Sequence, residues 1–182
     1  MTIEQCLSKR QLRERIKTKE YQRLDDNTKL KLINNEELEI NDNVKNPIVI
    51  YNKNNLDKNN ISEKILQRLI LEDLDNFLKE LGSGFCYIEN EYKIKIGGTY
   101  NYIDLLLFNY IYNCFIVIEL KVCELKKEHI GQIEVYMNYI DRHIKSINQD
   151  KTIGIIISRR DNHYYIEYSS DKRILTREYI LT

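Results

Sequence analysis

The chain lacks a net charge: Lys+Arg 28 balance Asp+Glu 28 over 182 residues. That balance excludes a global electrostatic signature of nucleic-acid binding, so any such surface must come from local segregation of charge. It also lacks long apolar runs. The longest, at residues 105–108 and 115–118, fall far short of the roughly 20 residues needed to cross a bilayer, and no apolar core of secretory type stands near the N-terminus. No membrane association is expected, and the cytoplasm is the expected location. Cys6, Cys86, Cys114 and Cys123 form no Cys-X-X-Cys pair, and His129, His143 and His163 share no metal-ligand spacing. A disulfide framework and a histidine-based zinc site are thereby disfavoured. Proline occurs once, at Pro47, and no internal repeat is present. What remains, at 42% hydrophobic content, is enough for one domain of ordinary size.

Between residues 9 and 31, Lys9, Arg10, Arg13, Arg15, Lys17, Lys19, Arg23, Lys29 and Lys31 outnumber Glu14, Glu20, Asp25 and Asp26. With Ser8 as N-cap and Leu12, Ile16 and Leu24 as a thin apolar stripe, this predicts one or two amphipathic helices. Their charge reads ordinarily as a solvated face and functionally as a phosphate-contacting arm. Asparagines then interrupt any period over residues 34–60, where they compete with backbone hydrogen bonds and favour turns. The expectation is a basic helical segment and Asn-rich linker over residues 1–60, with short-strand character at residues 48–51, and one domain over residues 61–182.

Ser62 caps a pattern of Ile65, Leu66, Leu69, Ile70, Leu74, Phe77, Leu78 and Leu81, stopped by Gly82 and Gly84, which predicts a long helix. On it Glu72 and Glu80 are separated by roughly 800° of rotation, sharing a face to within roughly 80°. Glu80 falls in the last turn, where the helix dipole opposes a carboxylate. Strand patterns follow at residues 85–88 and 92–96, then Gly97-Gly98 as a hairpin turn, then strands at residues 100–108 and 114–121. A helix over residues 126–147 leads into a buried strand at residues 152–158. Further strand patterns follow at residues 164–168 and, as an edge segment, 175–181. Antiparallel strands followed by a helical crossover predict an α/β fold: a mixed sheet of about five strands flanked by helices, in the order αβββαβ plus a further strand.

The anomaly lies in Tyr102-Ile103-Asp104-Leu105-Leu106-Leu107-Phe108 and Cys114-Phe115-Ile116-Val117-Ile118-Glu119-Leu120-Lys121. Apolar strands should carry no charge, because burying one costs several kcal/mol unless it is paired or bound to a metal. Alternation sets Asp104 beside Tyr102 and Leu106 on one face, and Glu119 beside Lys121 on one face of the next strand. Adjacent strands lie about 4.8 Å apart, so the two carboxylates can meet across the ladder. Held that close they repel unless a cation sits between them, and hard oxygen donors suit Mg²⁺ or Mn²⁺. Lys121 would add positive charge where a phosphoryl oxygen accumulates negative charge. Such a set suits phosphodiester hydrolysis without a serine, histidine or cysteine nucleophile.

Asp104 followed by Glu119-Leu120-Lys121 on consecutive strands after a helix resembles the PD-(D/E)XK nuclease superfamily. More narrowly, Phe77-Leu78-Lys79-Glu80-Leu81-Gly82-Ser83-Gly84-Phe85, Tyr102-Ile103-Asp104-Leu105-Leu106, Val117-Ile118-Glu119-Leu120-Lys121, Gly131-Gln132 and Thr152-Ile153-Gly154-Ile155 resemble its YhcG-type family. The resemblance implies a restriction-endonuclease-like core and a divalent-metal-dependent deoxyribonuclease acting in DNA repair, recombination or defence against foreign DNA. It implies Asp104, Glu119 and the Leu120 backbone carbonyl as ligands of Mg²⁺ or Mn²⁺, with Lys121 as charge stabiliser. A helix glutamate, Glu80 or Glu72, would complete the site. Gln132 and Tyr136 look like a Gln-X-X-X-Tyr pair supporting it from the next helix. Ile103 stands where the motif has proline, and the family's N-terminal region is usually longer than the segment found here. The alternative is a catalytically inactive remnant of the fold that binds DNA or docks a partner. DNA is the expected partner, with Lys126, Lys127, Arg142 and the N-terminal basic run as candidate contacts. A homodimer and a partner protein both stay open.

Overall fold

The two anomalous apolar runs become neighbouring strands of one six-stranded sheet. The computed structural model describes residues 8–17, 19–53, 55–57, 60–160 and 171–182. The chain opens with α1 (Lys9–Lys17), a 3₁₀ turn (Glu20–Arg23), α2 (Asp26–Asn34), α3 (Ile40–Asn43) and β1 (Ile48–Ile50). There follow α4 (Glu63–Glu72), α5 (Leu74–Leu81), β2 (Phe85–Ile96), β3 (Thr99–Asn109), β4 (Cys114–Glu124), α6 (Lys127–His143), β5 (Ile153–Arg160) and β6 (Ile174–Leu181). The strand order is β1-β6-β5-β4-β3-β2. β2, β3 and β4 form the antiparallel meander, and the α6 crossover makes β5 parallel to β4.

Helices cover both faces. Leu105, Leu107, Ile116, Ile118 and Leu120 pack on one side with Leu66, Leu69, Ile70, Phe77 and Leu81 of α4 and α5. Leu106, Val117 and Ile156 pack on the other with Ile133, Met137 and Ile140 of α6. Burial on both faces is why these strands read as continuous apolar runs rather than alternating ones. Each fully buried Leu or Ile contributes about 1.5–3 kcal/mol of transfer free energy.

Several expectations need correction. The long helix over residues 62–81 breaks at Asp73, whose φ of −136° and ψ of 43° leave the helical region. The rotation relating Glu72 to Glu80 therefore does not apply. Residues 85–96 form one strand with an irregularity between Tyr87 and Glu89, not two. The segment at 175–181 is not an edge, because β1 pairs with β6 in parallel and takes the edge position. The expected strand at 164–168 lies outside the described residues. The Asn-rich stretch is partly core: Ile40, Val44, Ile48 and Ile50 are buried there.

Polar anchors tie that stretch down. Glu80 accepts from both terminal guanidinium nitrogens of Arg23, from the Val49 amide at 3.1 Å, and lies 3.8 Å from Lys45 Nζ. Burial alone would raise its pKa, but Arg23, Lys45 and the amide together hold it below the usual carboxylate range. Arg177 donates to the Val44 and Asn41 carbonyls from β6. At the junction of α5 and β2, Gly82 adopts φ +118°, and a Cβ there would meet the Asn43 carbonyl oxygen at 2.8 Å; only glycine suits both conditions.

Glu80→Ala should destabilise the fold by about 3–5 kcal/mol, because it leaves Arg23 and Lys45 buried without their anion. Urea denaturation of the variant against wild type checks this.

Candidate active site

Pairing between β3 and β4 runs from Asn109↔Cys114 to Leu105↔Ile118 and stops there. Continuing that register would set Asp104 opposite Glu119, so the strands part at the two carboxylates. In place of a ladder bond, Asp104 Oδ2 accepts from the Leu120 amide at 2.7 Å. The partner side of β3 is irregular at the same level: Glu91 of β2 has φ +50°. Ile103 and Leu106 pack against α6 while Leu105 packs against α4, so strict alternation breaks at Asp104. The expectation that Tyr102, Asp104 and Leu106 share one face thus holds for no regular strand. The expected proximity of Asp104 to Glu119 is nonetheless present, through the side-chain bond to Leu120.

Glu119 is 2% exposed and Lys121 8%. Lys121 Nζ donates to Glu119 Oε2 at 3.3 Å and lies 3.7 Å from Glu63 Oε2. The other Glu119 oxygen, Oε1, is buried with no hydrogen-bond partner among the described residues. Burial, reinforced by the Asp104 charge and opposed by Lys121 and by the nearby Asp104 backbone amide, pushes the Glu119 carboxyl up to about 8. Asp104 is also raised, chiefly by burial. Lys121 is held above its ordinary value, since the carboxylates of Glu119, Glu63 and Asp104 outweigh burial, and it is a cation at neutral pH. An unpartnered buried oxygen beside a second destabilised carboxylate is a donor set that a divalent cation would satisfy. Among the described residues no three His, Cys, Asp or Glu groups converge as a metal cage. Two carboxylates suit Mg²⁺, which keeps several waters and seldom occupies an all-protein cage.

The helices surrounding this pair differ from those expected. Glu80 is spent on Arg23, Lys45 and Val49, and exposed Glu72 sits 3.7 Å from Arg68. Neither is among the largest influences on the ionisation of Asp104, Glu119 or Lys121. The helix glutamate that reaches the cluster is Glu63, in the first turn of α4. An acidic residue there complements the helix dipole and reads as ordinary capping, which conceals it in the sequence. Gln67, one turn on, donates to the Asp104 carbonyl at 2.9 Å, an amide on a helical face that carried no separate signal. Gln132 donates to the Tyr136 hydroxyl at 3.1 Å, and the Glu119 charge raises the Tyr136 pKa further after burial. The pair thus faces the site from α6. Leu120 pairs with Ile157 of β5, and its amide is the group engaged with Asp104. His129 of α6 is held below its ordinary pKa by burial and by Lys121.

Residues 41–182 match the YhcG PDDEXK nuclease domain. The chain belongs to that nuclease family. One curated relative is "Putative nuclease YhcG" of Escherichia coli (strain K12), 26% identical over 100 residues, which cover 55% of this chain and 27% of that protein. The chain thus spans about a quarter of that relative's length. Among solved structures, a repair endonuclease from Pyrococcus abyssi is 19% identical with a TM-score of 0.47, covering 65% of this chain and 46% of that one. A structure described as an EndoMS-dsDNA2 complex is 19% identical with a TM-score of 0.48, covering 64% and 44%. Among the described residues no helix is long and apolar enough to cross a membrane.

The raised Glu119 pKa carries a signed consequence. Between about pH 4.5, where the unfolded carboxyl ionises, and about pH 8, the folded state binds the extra proton. Unfolding free energy therefore falls as pH rises through that window. Asp104 acts in the same direction, and His129 in the opposite one. Glu119→Gln removes the titration, so in a chelating buffer its stability relative to wild type should improve by roughly 3 kcal/mol from pH 5 to pH 8. Paired denaturation curves at the two pH values measure this directly.

Proposed function

We propose that this domain hydrolyses DNA phosphodiester bonds with the aid of Mg²⁺ or Mn²⁺. The observation that supports it most is the unpartnered, buried Glu119 Oε1 beside Asp104 and Lys121, within a chain of the YhcG PDDEXK nuclease family. Asp104, Glu119 and the Leu120 carbonyl are the proposed ligands. A divalent cation held there supplies Lewis acidity toward a phosphate oxygen and lowers the pKa of its bound water.

The chain's own groups prepare the rest. Gln67 holds the Asp104 backbone carbonyl and the Leu120 amide holds its Oδ2, so one carboxylate oxygen is committed and its orientation is set. Lys121 keeps its proton under three carboxylates and offers a fixed positive charge to a phosphoryl oxygen in the transition state. Glu63 holds that ammonium from the α4 side and is the helix glutamate assigned to the site in place of Glu80 and Glu72. Gln132 and Tyr136, bonded to each other on α6, are assigned a supporting role near the cluster, whose charges act on Tyr136. Three free thiols among the described residues, Cys86, Cys114 and Cys123, accord with a reducing cytoplasm. The process we propose for that activity is repair, recombination or defence against foreign DNA.

Plasmid and branched DNA incubated with Mg²⁺ should be cut by wild type and at least 100-fold more slowly by Asp104→Ala and by Lys121→Ala. Cleavage that survives in both variants would end this assignment. Mn²⁺ at millimolar concentration should also raise the melting temperature of wild type by several degrees and leave that of Asp104→Ala unmoved.

A further inference from the structure

Beyond the point where β3 leaves β4, residues 99–103 pair only with β2, so the outer halves of the two strands project as a two-stranded arm. Its two faces are unlike. One packs Ile94 and Ile103 against α6. The other carries Lys93 and Lys95 of β2 directly opposite Tyr102 and Tyr100 of β3. These tyrosines are 52% and 53% exposed, and Lys93 Nζ stands 3.8 Å from the centre of the Tyr100 ring, with Lys95 at 5.8 Å. Among the described residues neither lysine has an ion-pair partner. Around the tip, Lys95 also lines a cavity of about 360 Å³ shared with Tyr139 and Arg142 of α6.

We propose that this outer face is a stacking platform for an unpaired nucleic-acid strand that leads away from the Asp104–Glu119 site, a reading that rests on the nuclease assignment above for where the scissile phosphate lies. Four residues of strand separate Asp104 from Tyr100, about 14 Å, a length over which a stacked strand carries about four phosphates. Charge is graded along that path. Glu91 and Asp104 mark the site end, and Lys93 and Lys95 the outer end, so the cations lie where a backbone would run once it has passed the carboxylates. Two exposed tyrosines at adjacent positions offer ring faces that any base can stack on, and the lysines beside them can exchange a ring contact for a phosphate. Duplex DNA keeps its bases stacked on one another, so the platform favours a frayed or single-stranded flank.

Lysines on an edge strand also discourage edge-to-edge pairing, and that protective role makes different predictions. The test uses the intact chain in a chelating buffer, with a fluorescent mixed-sequence single-stranded oligonucleotide and its blunt duplex as probes. The platform requires the single strand to bind more tightly than the duplex. Tyr100→Ala/Tyr102→Ala should lose tenfold or more of that affinity, Tyr100→Phe/Tyr102→Phe should restore it, and Lys93→Gln/Lys95→Gln should flatten the salt dependence by one to two ion equivalents. All variants are compared at melting temperatures near wild type, which exposed positions permit. Absence of single-strand binding by wild type, equal affinity for the duplex, or a Tyr100→Ala/Tyr102→Ala variant that binds like wild type would overturn the proposal, as would lysine variants that merely self-associate with unchanged affinity. Because binding is read without cations, loss of the platform leaves the Mg²⁺-dependent cleavage result untouched, and absence of cleavage leaves the binding result standing.

Discussion

The divergence of β3 from β4 after Leu105 and Ile118 is the constraint on which the candidate site depends. Had the ladder continued, Asp104 and Glu119 would have been ordinary cross-strand neighbours inside a sheet covered on both faces, and two buried carboxylates would have had no access to solvent or substrate. Because the strands part there, the Leu120 amide is released from strand pairing on that side and is taken by the Asp104 carboxylate. The opening also lets Lys121 reach Glu63 at the start of α4. A single departure from regular sheet geometry thus converts a burial problem into a cluster of four ionisable groups.

That cluster carries an internal tension. Lys121 compensates one oxygen of Glu119 and leaves the other without a partner among the described residues, and the Asp104 charge adds to the strain. Natural proteins leave few buried polar atoms unsatisfied, and those that remain tend to coincide with function. The carboxylate of Glu80 meets the same problem with a full set of partners. Glu80 receives a guanidinium, an ammonium and an amide, and its pKa falls below the carboxylate range instead of rising. The contrast between the two glutamates separates a group that holds the fold from a group poised for a ligand.

The core of the fold and the centre of the site were legible because both rest on local pattern. Apolar runs at residues 102–108 and 114–121 announced central strands, and a charge inside such a run is improbable without cause, which singled out Asp104, Glu119 and Lys121. Glu80 drew attention for an equally sound reason, an acid against a helix dipole. Its explanation, however, lies in Arg23 and Lys45, far back in the chain, and no local pattern carries such a pairing. Glu63 escaped notice because its position in the first turn of a helix is unremarkable for an acid. The break at Asp73 was hidden as well, since the apolar spacing runs through it and only the backbone dihedrals betray it.

The pairing of Ile48 with Tyr179 and of Ile50 with Leu181 has a bearing on how the domain is made. β1 leaves the ribosome more than a hundred residues before the strand it must join, so its apolar side chains wait while the meander and the α6 crossover form. Long-range parallel pairing of this kind is slow and comes after local contacts. The strands carrying Asp104 and Glu119 are therefore in place before the far margin of the sheet closes. During that interval β6 and the stretch from Ile40 to Ile50 are the surfaces most in need of shelter from other nascent chains.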